Sequence, residues 1–331
     1  MATVGTTYLT LADLYKRQDS NKQIAVIIEM LAEMNPVLMD AIVMECNDGS
    51  KHLTTVRTGL PTVAWRQLYQ GTQPSKSTTR QVTDTTGMLE AWSEVDSKLV
   101  ELSDNEGAVR LSEASAFIEA MTQEMASGLF YHDTATDPEK FMGLAPRFSD
   151  STAENGRQIV KAGGAGSDNT SIWFVVWGDR TCHLLYPKGT SGGLKRDDKN
   201  KTTKELADGS MYDVHREKFS WDIGLSVRDW RYIARVCNID ESLLTADAST
   251  GADLINMMIT AYYRLRQRKV TGGRAAIYCN TTVKEFLHKQ ALTKANSTIR
   301  IREVDGEEVV SFLGIPVREC EALLNTEAAV P

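Results

Sequence analysis

The clearest pattern of hydrophobic and polar positions lies between residues 112 and 130. Apolar side chains recur there every three or four residues: Ala114, Phe117, Ile118, Met121, Met125 and Leu129. The positions between them include Glu113, Glu119, Gln123 and Glu124. Because this spacing places the apolar residues on one face of a helix, the pattern predicts a long amphipathic helix. The polar stretch HDTATD at 132–137 follows directly and is expected to end it.

Residues 46–87 have a different character. They are rich in Thr, Ser and Gly, with β-branched residues in short alternating runs and no helical stripe. This composition predicts a long two-stranded excursion that is polar on both faces. Since such a segment buries little of its own surface, something outside it must hold it in order. Residues 87–105, which come next, are predicted to be helical.

Two apolar runs, SIWFVVW and CHLLYP, stand on either side of Gly178, Asp179 and Arg180. A short turn containing glycine between such runs predicts a β-hairpin over residues 171–187. Residues 188–210 are then expected to be a polar loop, and strand character returns at 219–239. The last third alternates helix and strand, and SFLGIPVREC is expected to close it as a strand kinked by Gly314 and Pro316. Residues 1–45 are expected to be helical and partly extended.

Composition and charge exclude several classes of protein. The chain has 331 residues, of which 42% are hydrophobic and 24% charged, so it can bury a sizeable core in one or two domains. Its net charge of −7 argues against a broad basic face that coats nucleic acid. The longest strictly apolar run is Ile172–Trp177, far too short to cross a membrane, so we expect no transmembrane helix. The N-terminus lacks the charge and apolar pattern of a secretory signal.

The stretch WGDRTCHLLYPKGTSGG at 177–193 looks like an active site, with a cysteine beside a histidine and a glycine-rich loop. Cys182 and His183 are adjacent in a strand-like run, so their side chains point to opposite faces and cannot form a nucleophile–base pair. In a phosphate-binding loop the lysine follows the glycines and a helix begins there, whereas Lys188 precedes them. A surface turn is the favoured interpretation.

The other candidate motifs are equally weak. GGAGSDN at 163–169 lacks the last glycine of a dinucleotide-binding loop, and LKRDDKNKTTK at 194–204 is most simply a solvated charged loop. The five histidines have no metal-binding spacing, and the five cysteines form no CxxC pair. These cysteines are expected to be buried thiols in a reducing compartment: Cys46, Cys182, Cys237, Cys279 and Cys320. The sequence assigns no catalytic, cofactor-binding or metal-binding residue and no cofactor.

Several segments together resemble the major capsid proteins of tailed bacteriophages, in particular a subfamily of short-tailed phages with the HK97-like fold. The resemblance runs over nearly the whole chain and no single motif decides it. The segments that carry it are YLTLADLYKR, TVRTGLPTVAWRQLYQG, SKSTTRQV, FYHDTATDPEKFMGLAPRF, NTSIWFVVWGDRTCHLLYPKGTSGGL, GLSVRDWRYIARVCNID and FLGIPVREC.

This resemblance implies an α+β fold with a defined division of the chain. Residues 1–45 would form an N-terminal arm and residues 46–90 an extended loop that reaches over a neighbouring subunit. A peripheral domain would cover 91–239, with a long spine helix at 112–130 and the β-hairpin at 171–187. Residues 240–331 would be mainly the axial domain with its closing strand.

The function implied by the resemblance is assembly rather than catalysis. Copies would associate as pentamers and hexamers into an icosahedral shell around double-stranded DNA, which they would touch by weak non-specific contacts. The protein would belong to the virion, after assembly in the host cytoplasm, with a portal, a scaffold and a decoration or cement protein as further partners. Two alternatives stay open at this point: an encapsulin-like nanocompartment shell, and a cysteine hydrolase that uses Cys182 or Cys279.

Overall fold

The computed structural model describes residues 35–103, 105–246, 251–268, 270–293, 299–304 and 307–331. The expected N-terminal arm, residues 1–45, therefore lies mostly outside the described residues. Six α-helices are found in the described part of the chain: α1 (Val37–Asp40), α2 (Ser97–Glu101), α3 (Glu106–Tyr131), α4 (Leu144–Arg147), α5 (Leu254–Arg264) and α6 (Thr281–Thr293).

Thirteen strands occur in the same described ranges. They are β1 (Val43–Glu45), β2 (Lys51–Gly59), β3 (Thr78–Asp96), β4 (Ile159–Lys161), β5 (Asn169–Trp177), β6 (Cys182–Tyr186), β7 (Lys195–Glu205), β8 (Met211–Val227), β9 (Ile233–Asp240), β10 (Arg274–Cys279), β11 (Ile299–Val304), β12 (Glu307–Phe312) and β13 (Ile315–Glu319). Nine of them follow one another in the order β11-β12-β13-β10-β5-β6-β8-β3-β2, while β1, β4, β7 and β9 pair alongside.

Strand β5 is the centre of the molecule because both of its faces are buried. Trp173, Val175 and Trp177 point to one face, where the C-terminal half of α3 and the last residues of the chain cover them. Ile172, Phe174 and Val176 point to the other face, which α5 and α6 cover. The continuous apolar run SIWFVVW therefore reflects a strand buried between two layers of helix. The fold is α+β, as expected.

The amphipathic helix predicted at 112–130 is confirmed and is longer, since α3 runs from Glu106 to Tyr131. Asn105 caps its first turn by accepting a hydrogen bond from the Ala108 amide, at 3.1 Å. The alternation of helix and strand in the last third is also confirmed. The closing segment is a hairpin rather than one kinked strand, because Leu313 and Gly314 have φ of 48° and 84° and form a two-residue turn between β12 and β13.

The β-hairpin predicted over residues 171–187 is wrong. Strands β5 and β6 meet at a single pair, Trp177 and Cys182. A strand has only two edges, and those of β5 are taken by β9 and β10. The turn at Gly178 therefore leads the chain away to pair with β1 and β8 instead.

Two further sequence predictions are wrong for the same kind of reason. The helix predicted at 87–105 is reduced to α2, because residues 86–96 of β3 pair with β8. The polar loop predicted at 188–210 contains β7, a strand that pairs along β8. Both segments are extended because β8 offers them hydrogen-bonding edges far away in the sequence.

The two-stranded excursion predicted from residue 46 is confirmed. Strand β2 pairs with the first half of β3, from Lys51 with Thr85 to Gly59 with Thr78. The second half of β3 lies in the main sheet, so β2 and residues 78–85 continue that strand outward as a projecting hairpin. Residues 60–77 connect its two strands at the far end. We call residues 51–83, the part that precedes the buried Asp84, the projecting hairpin.

Candidate functional site

The cysteine and histidine that stood out in the sequence are both inside the protein. Cys182 contributes to the main core cluster and His183 is fully buried. Burial raises the pKa of the Cys182 thiol well above its ordinary value, and burial lowers the pKa of His183 to about 4. The thiol is therefore protonated and the imidazole neutral at pH 7. Cys279 is also buried, and burial raises its pKa to about 12. Neither cysteine has the thiolate that a hydrolase nucleophile needs.

The glycine-rich loop after Lys188 is a tight surface turn. Gly189 has a φ of 77°, and its amide donates to the carboxylate of Glu45 at 2.7 Å. The Lys188 amide donates to the carbonyl of Gly49 at 2.8 Å. Strand β7 follows, so no helix N-terminus stands behind the loop. The loop thus binds the end of β1 and the turn after it, and it lacks the structure of a phosphate cradle.

The charged stretch at 194–204 lies on β7, where most of its cations have acidic partners. Arg196 donates to Glu217, Lys204 pairs with Glu94, and Lys199 pairs with Asp197. Lys201 has Glu101 and Asp213 nearby, at 3.7 and 3.6 Å. These contacts neutralise the cations that could otherwise attract a phosphate backbone.

The HDTATD stretch ends α3 at Tyr131, as predicted. His132 packs on Phe141 and hydrogen-bonds Glu124 at 3.1 Å, while Asp133 accepts from the Ala135 amide within the following turn. Within the described ranges, no group of three or more His, Cys, Asp or Glu side chains could hold a metal ion. In the same part of the chain, no helix combines the length and apolar character needed to cross a membrane.

The base of the projecting hairpin is fixed by a buried carboxylate. Asp84 accepts hydrogen bonds from Arg147 Nη2 and from the Ser226 hydroxyl, both at 2.8 Å. Arg147 also donates to the carbonyls of Met142 and Leu225. One cation thus ties β3 to α4 and to β8. The hairpin therefore leaves the body in a defined direction.

A pair of buried histidines lies at the same base. His52 is opposite Asp84 in the β2–β3 register, and its ring contacts that of His183 edge to face at 5.5 Å. Burial, and then the charge of Arg228, lower the pKa of His52. Both imidazoles are therefore neutral at pH 7, and the contact joins the hairpin to β6.

Beyond its base, the projecting hairpin has no core of its own. Residues 60–81 are all exposed, and the connecting segment carries large apolar side chains in full contact with solvent. Trp65 and Tyr69 are completely exposed, with relative accessibilities of 102% and 101%. Leu60, Val63 and Leu68 are exposed beside them. Apolar side chains grouped in this way mark a surface for a protein partner.

The charge of this hairpin is opposite to that of the rest of the protein. Residues 51–83 contain five Lys and Arg and no Asp or Glu: Lys51, Arg57, Arg66, Lys76 and Arg80. The remaining chain has 44 Asp and Glu against 32 Lys and Arg. The segment contains no catalytic motif. Its signal in the sequence is the absence of acidic residues over 33 positions.

A comparison with protein families identifies the chain. The model of the family described as major capsid protein GP7 matches residues 19–331. The chain belongs to this family. Among solved structures, that of bacteriophage Epsilon15 is 45% identical, with a TM-score of 0.80, and the match covers 100% of this chain and 99% of that one. No curated protein sequence matches significantly.

A more distant structure agrees in fold alone. The bacteriophage JBD30 capsid is 11% identical, with a TM-score of 0.50, and the match covers 95% of this chain and 99% of that one. The resemblance seen in the sequence is thereby confirmed: the protein is a bacteriophage major capsid protein with the HK97-like fold, and it forms part of the virion shell. The nanocompartment shell and the cysteine hydrolase are not favoured.

Proposed function

We propose that copies of this capsid protein associate as pentamers and hexamers into an icosahedral shell that encloses double-stranded DNA. The projecting hairpin, within the loop expected at residues 46–90, extends over a neighbouring subunit. The observation that carries this proposal is the exposed apolar end of the hairpin. Leaving Trp65 and Tyr69 in water is unfavourable, and contact with a second copy would bury them.

The other parts of the chain receive roles that agree with the packing. Helix α3 is proposed as the spine of a peripheral domain at 91–239, because its C-terminal half lies on the central strand β5. Residues 240–331 are proposed as the axial domain, whose helices α5 and α6 form a second core on the opposite face. Residues 1–45 are proposed as an arm that binds a neighbour, and its described end anchors it on this chain's own core through Val37 and the pairing of β1 with β6.

Contact with the packaged DNA is proposed to be weak and non-specific. The net charge of −7 supports this, since a strongly basic inner surface would hold the genome tightly. A portal, a scaffold and a decoration or cement protein are proposed as further partners.

Deleting residues 55–80 tests the proposal. None of these residues is buried, and the deletion leaves Asp84 and His52 in place. We expect a soluble, folded chain that forms no shells by negative-stain electron microscopy, whereas the intact chain forms shells, tubes or capsomers. Normal shells from the deleted chain would refute the role of the hairpin. An intact chain that yields only small monodisperse particles would refute shell assembly by the protein alone.

A further inference from the structure

A small apolar cavity opens between the C-terminal half of α3, strand β3 and strand β8. Its volume is about 150 Å³, and a cavity of this size accommodates one benzene-sized ring. The side chains that form most of its wall are apolar: Met88, Leu89, Met125, Phe141, Trp221 and Ile223. Met88 is 78% exposed, so the cavity is accessible from the surface.

The rim of this cavity carries negative charge. Glu124, Glu139 and Lys140 line it, and Asp137 lies beside Lys140. Lys140 forms salt bridges with Glu124 and Asp137, at 3.8 and 3.2 Å, so one lysine faces two carboxylates and Glu139 adds a third acidic residue to the lining. His132, also on the rim, adds no charge at pH 7, because burial lowers its pKa. Glu139 is an exposed residue of this lining.

The end of the projecting hairpin has the complementary chemistry. Trp65 presents a fully exposed indole, and Arg66 beside it is one of five cations in a segment without acidic residues. A tryptophan next to an arginine is the composition typical of a strong interface anchor. An apolar cavity with a negative rim matches this pair in apolar character and in charge.

We propose that Trp65 of one copy occupies this cavity of a second copy, with Arg66 facing the carboxylates of Glu124 and Glu139. The inference rests on the proposed function and adds the site on the neighbour that receives the hairpin. The six-membered ring of the indole enters the apolar space, and its N–H remains at the mouth, where it donates to Glu139.

The hairpin of the same copy cannot fill the cavity. Met88 lies near the base of the hairpin, on the inner half of β3, whereas Trp65 lies beyond the outer end at Gly59 and Thr78. Ten residues of extended strand separate Thr78 from Met88, which is roughly 30 Å. Pairing of β3 with β2, and then with β8, keeps this length extended. The occupant therefore comes from another molecule.

Disulfide cross-linking between copies tests this contact directly. The five native cysteines are all buried, so introduced cysteines are the accessible thiols. Chains carrying Gln67→Cys, which keeps Trp65 and Arg66, and chains carrying Met88→Cys are co-assembled and oxidised; Gln67 and Met88 are both exposed. We expect a disulfide-linked dimer on a non-reducing gel. A pair of Gln67→Cys with Met211→Cys, an exposed residue on β8, is the control and should give little dimer.

The outcomes distinguish a failure of the proposed site from a failure of shell assembly. Shells that form without the Gln67–Met88 cross-link would overturn the proposed site and leave shell assembly standing. Absence of shells from the unmodified chain would refute shell assembly itself. If the cysteine variants fail to assemble, a charge exchange between Arg66 and Glu139 tests the contact instead. We expect Arg66→Glu to lower the yield of shells at least tenfold, and Arg66→Glu combined with Glu139→Lys to recover most of it.

The charge exchange has its own refuting results. Normal assembly of Arg66→Glu, or a double variant no better than the single one, would overturn the proposed contact. Glu139→Lys alone should fold normally, which circular dichroism checks, because the Glu139 side chain is exposed. Since the contact joins opposite charges, raising the salt concentration should also weaken assembly of the unmodified chain and of the double variant alike.

Discussion

Replacing Glu327 by Gln removes the negative charge from a buried cluster that holds the C-terminal segment on the core. The side chains of Glu327 and Arg235 are both 4% exposed, and Arg235 Nη2 donates to Glu327 Oε2 at 2.8 Å. The hydroxyl of Tyr131 donates to Glu327 Oε1 at 2.6 Å, and the Ser171 hydroxyl donates to Oε2. Burial and the charge of Glu327 raise the pKa of Tyr131 well above its usual range, so the phenol remains a donor.

The expected loss is large because the substitution leaves a buried cation without its counter-charge. Arg235 keeps its hydrogen bond to the Phe148 carbonyl and its position over the Trp173 ring, but neither of these partners carries a negative charge. Breaking one partner of a buried ion pair costs about 3–5 kcal/mol. We therefore expect Glu327→Gln to lower the free energy of unfolding by about 3 kcal/mol.

Urea unfolding of the unassembled chain, followed by tryptophan fluorescence, measures this loss. The matched variant is Arg235→Met with Glu327→Gln, in which neither charge remains. We expect the double variant to lose less than the sum of the two single variants, because each single change leaves one charge unpaired. Additive losses, or a loss below about 1 kcal/mol for Glu327→Gln, would refute the buried ion pair as the source of the effect.

Three further outcomes are expected. Between about pH 6.5 and 4, the unfolded chain binds a proton at His183 that the folded chain does not. The free energy of unfolding should therefore fall by about 3 kcal/mol as the pH drops through that range. The variant His183→Phe should flatten this slope. Gly143→Ala should cost about 2 kcal/mol, because a Cβ would lie 2.8 Å from the carbonyl oxygen of Gly128. Asp84→Asn should cost about 2 kcal/mol and speed protease cleavage in the projecting hairpin, because it weakens the bond to Arg147.

Each of these has a control within the same chain. A pH slope unchanged by His183→Phe would assign the acid sensitivity to other groups. Gly71→Ala should have almost no effect, since no atom lies within 4 Å of the added Cβ; an equal loss at Gly71 and Gly143 would contradict the close approach. Ser226→Ala removes the other hydrogen bond to Asp84 and should cost about 1 kcal/mol, with less added cleavage than Asp84→Asn.

The failure of the apparent active site was predictable from local rules. Alternation along a strand places Cys182 and His183 on opposite faces, and the structure has Cys182 in the core and His183 against His52. The order of Lys188 and the glycines already excluded a phosphate loop. The candidate assembly surface was predictable only in part: the unusual polar excursion could be seen, but the cavity could not. Met88, Met125 and Trp221 are distant in the sequence and meet only when β3, α3 and β8 pack together.

The sequence by itself determined the elements whose signals are local: the long helix α3, the two strands of the projecting hairpin, and the helices and strands of the last third. It also carried the family resemblance over almost its whole length. Tertiary structure decided what residues 87–96 and 195–205 become, because each forms a strand on β8. It also decided that β5 and β6 separate, because β9 and β10 occupy the edges of β5. Hydrogen bonds between distant strands set these outcomes. The periodic pattern of one segment does not specify which distant strand that segment will pair with.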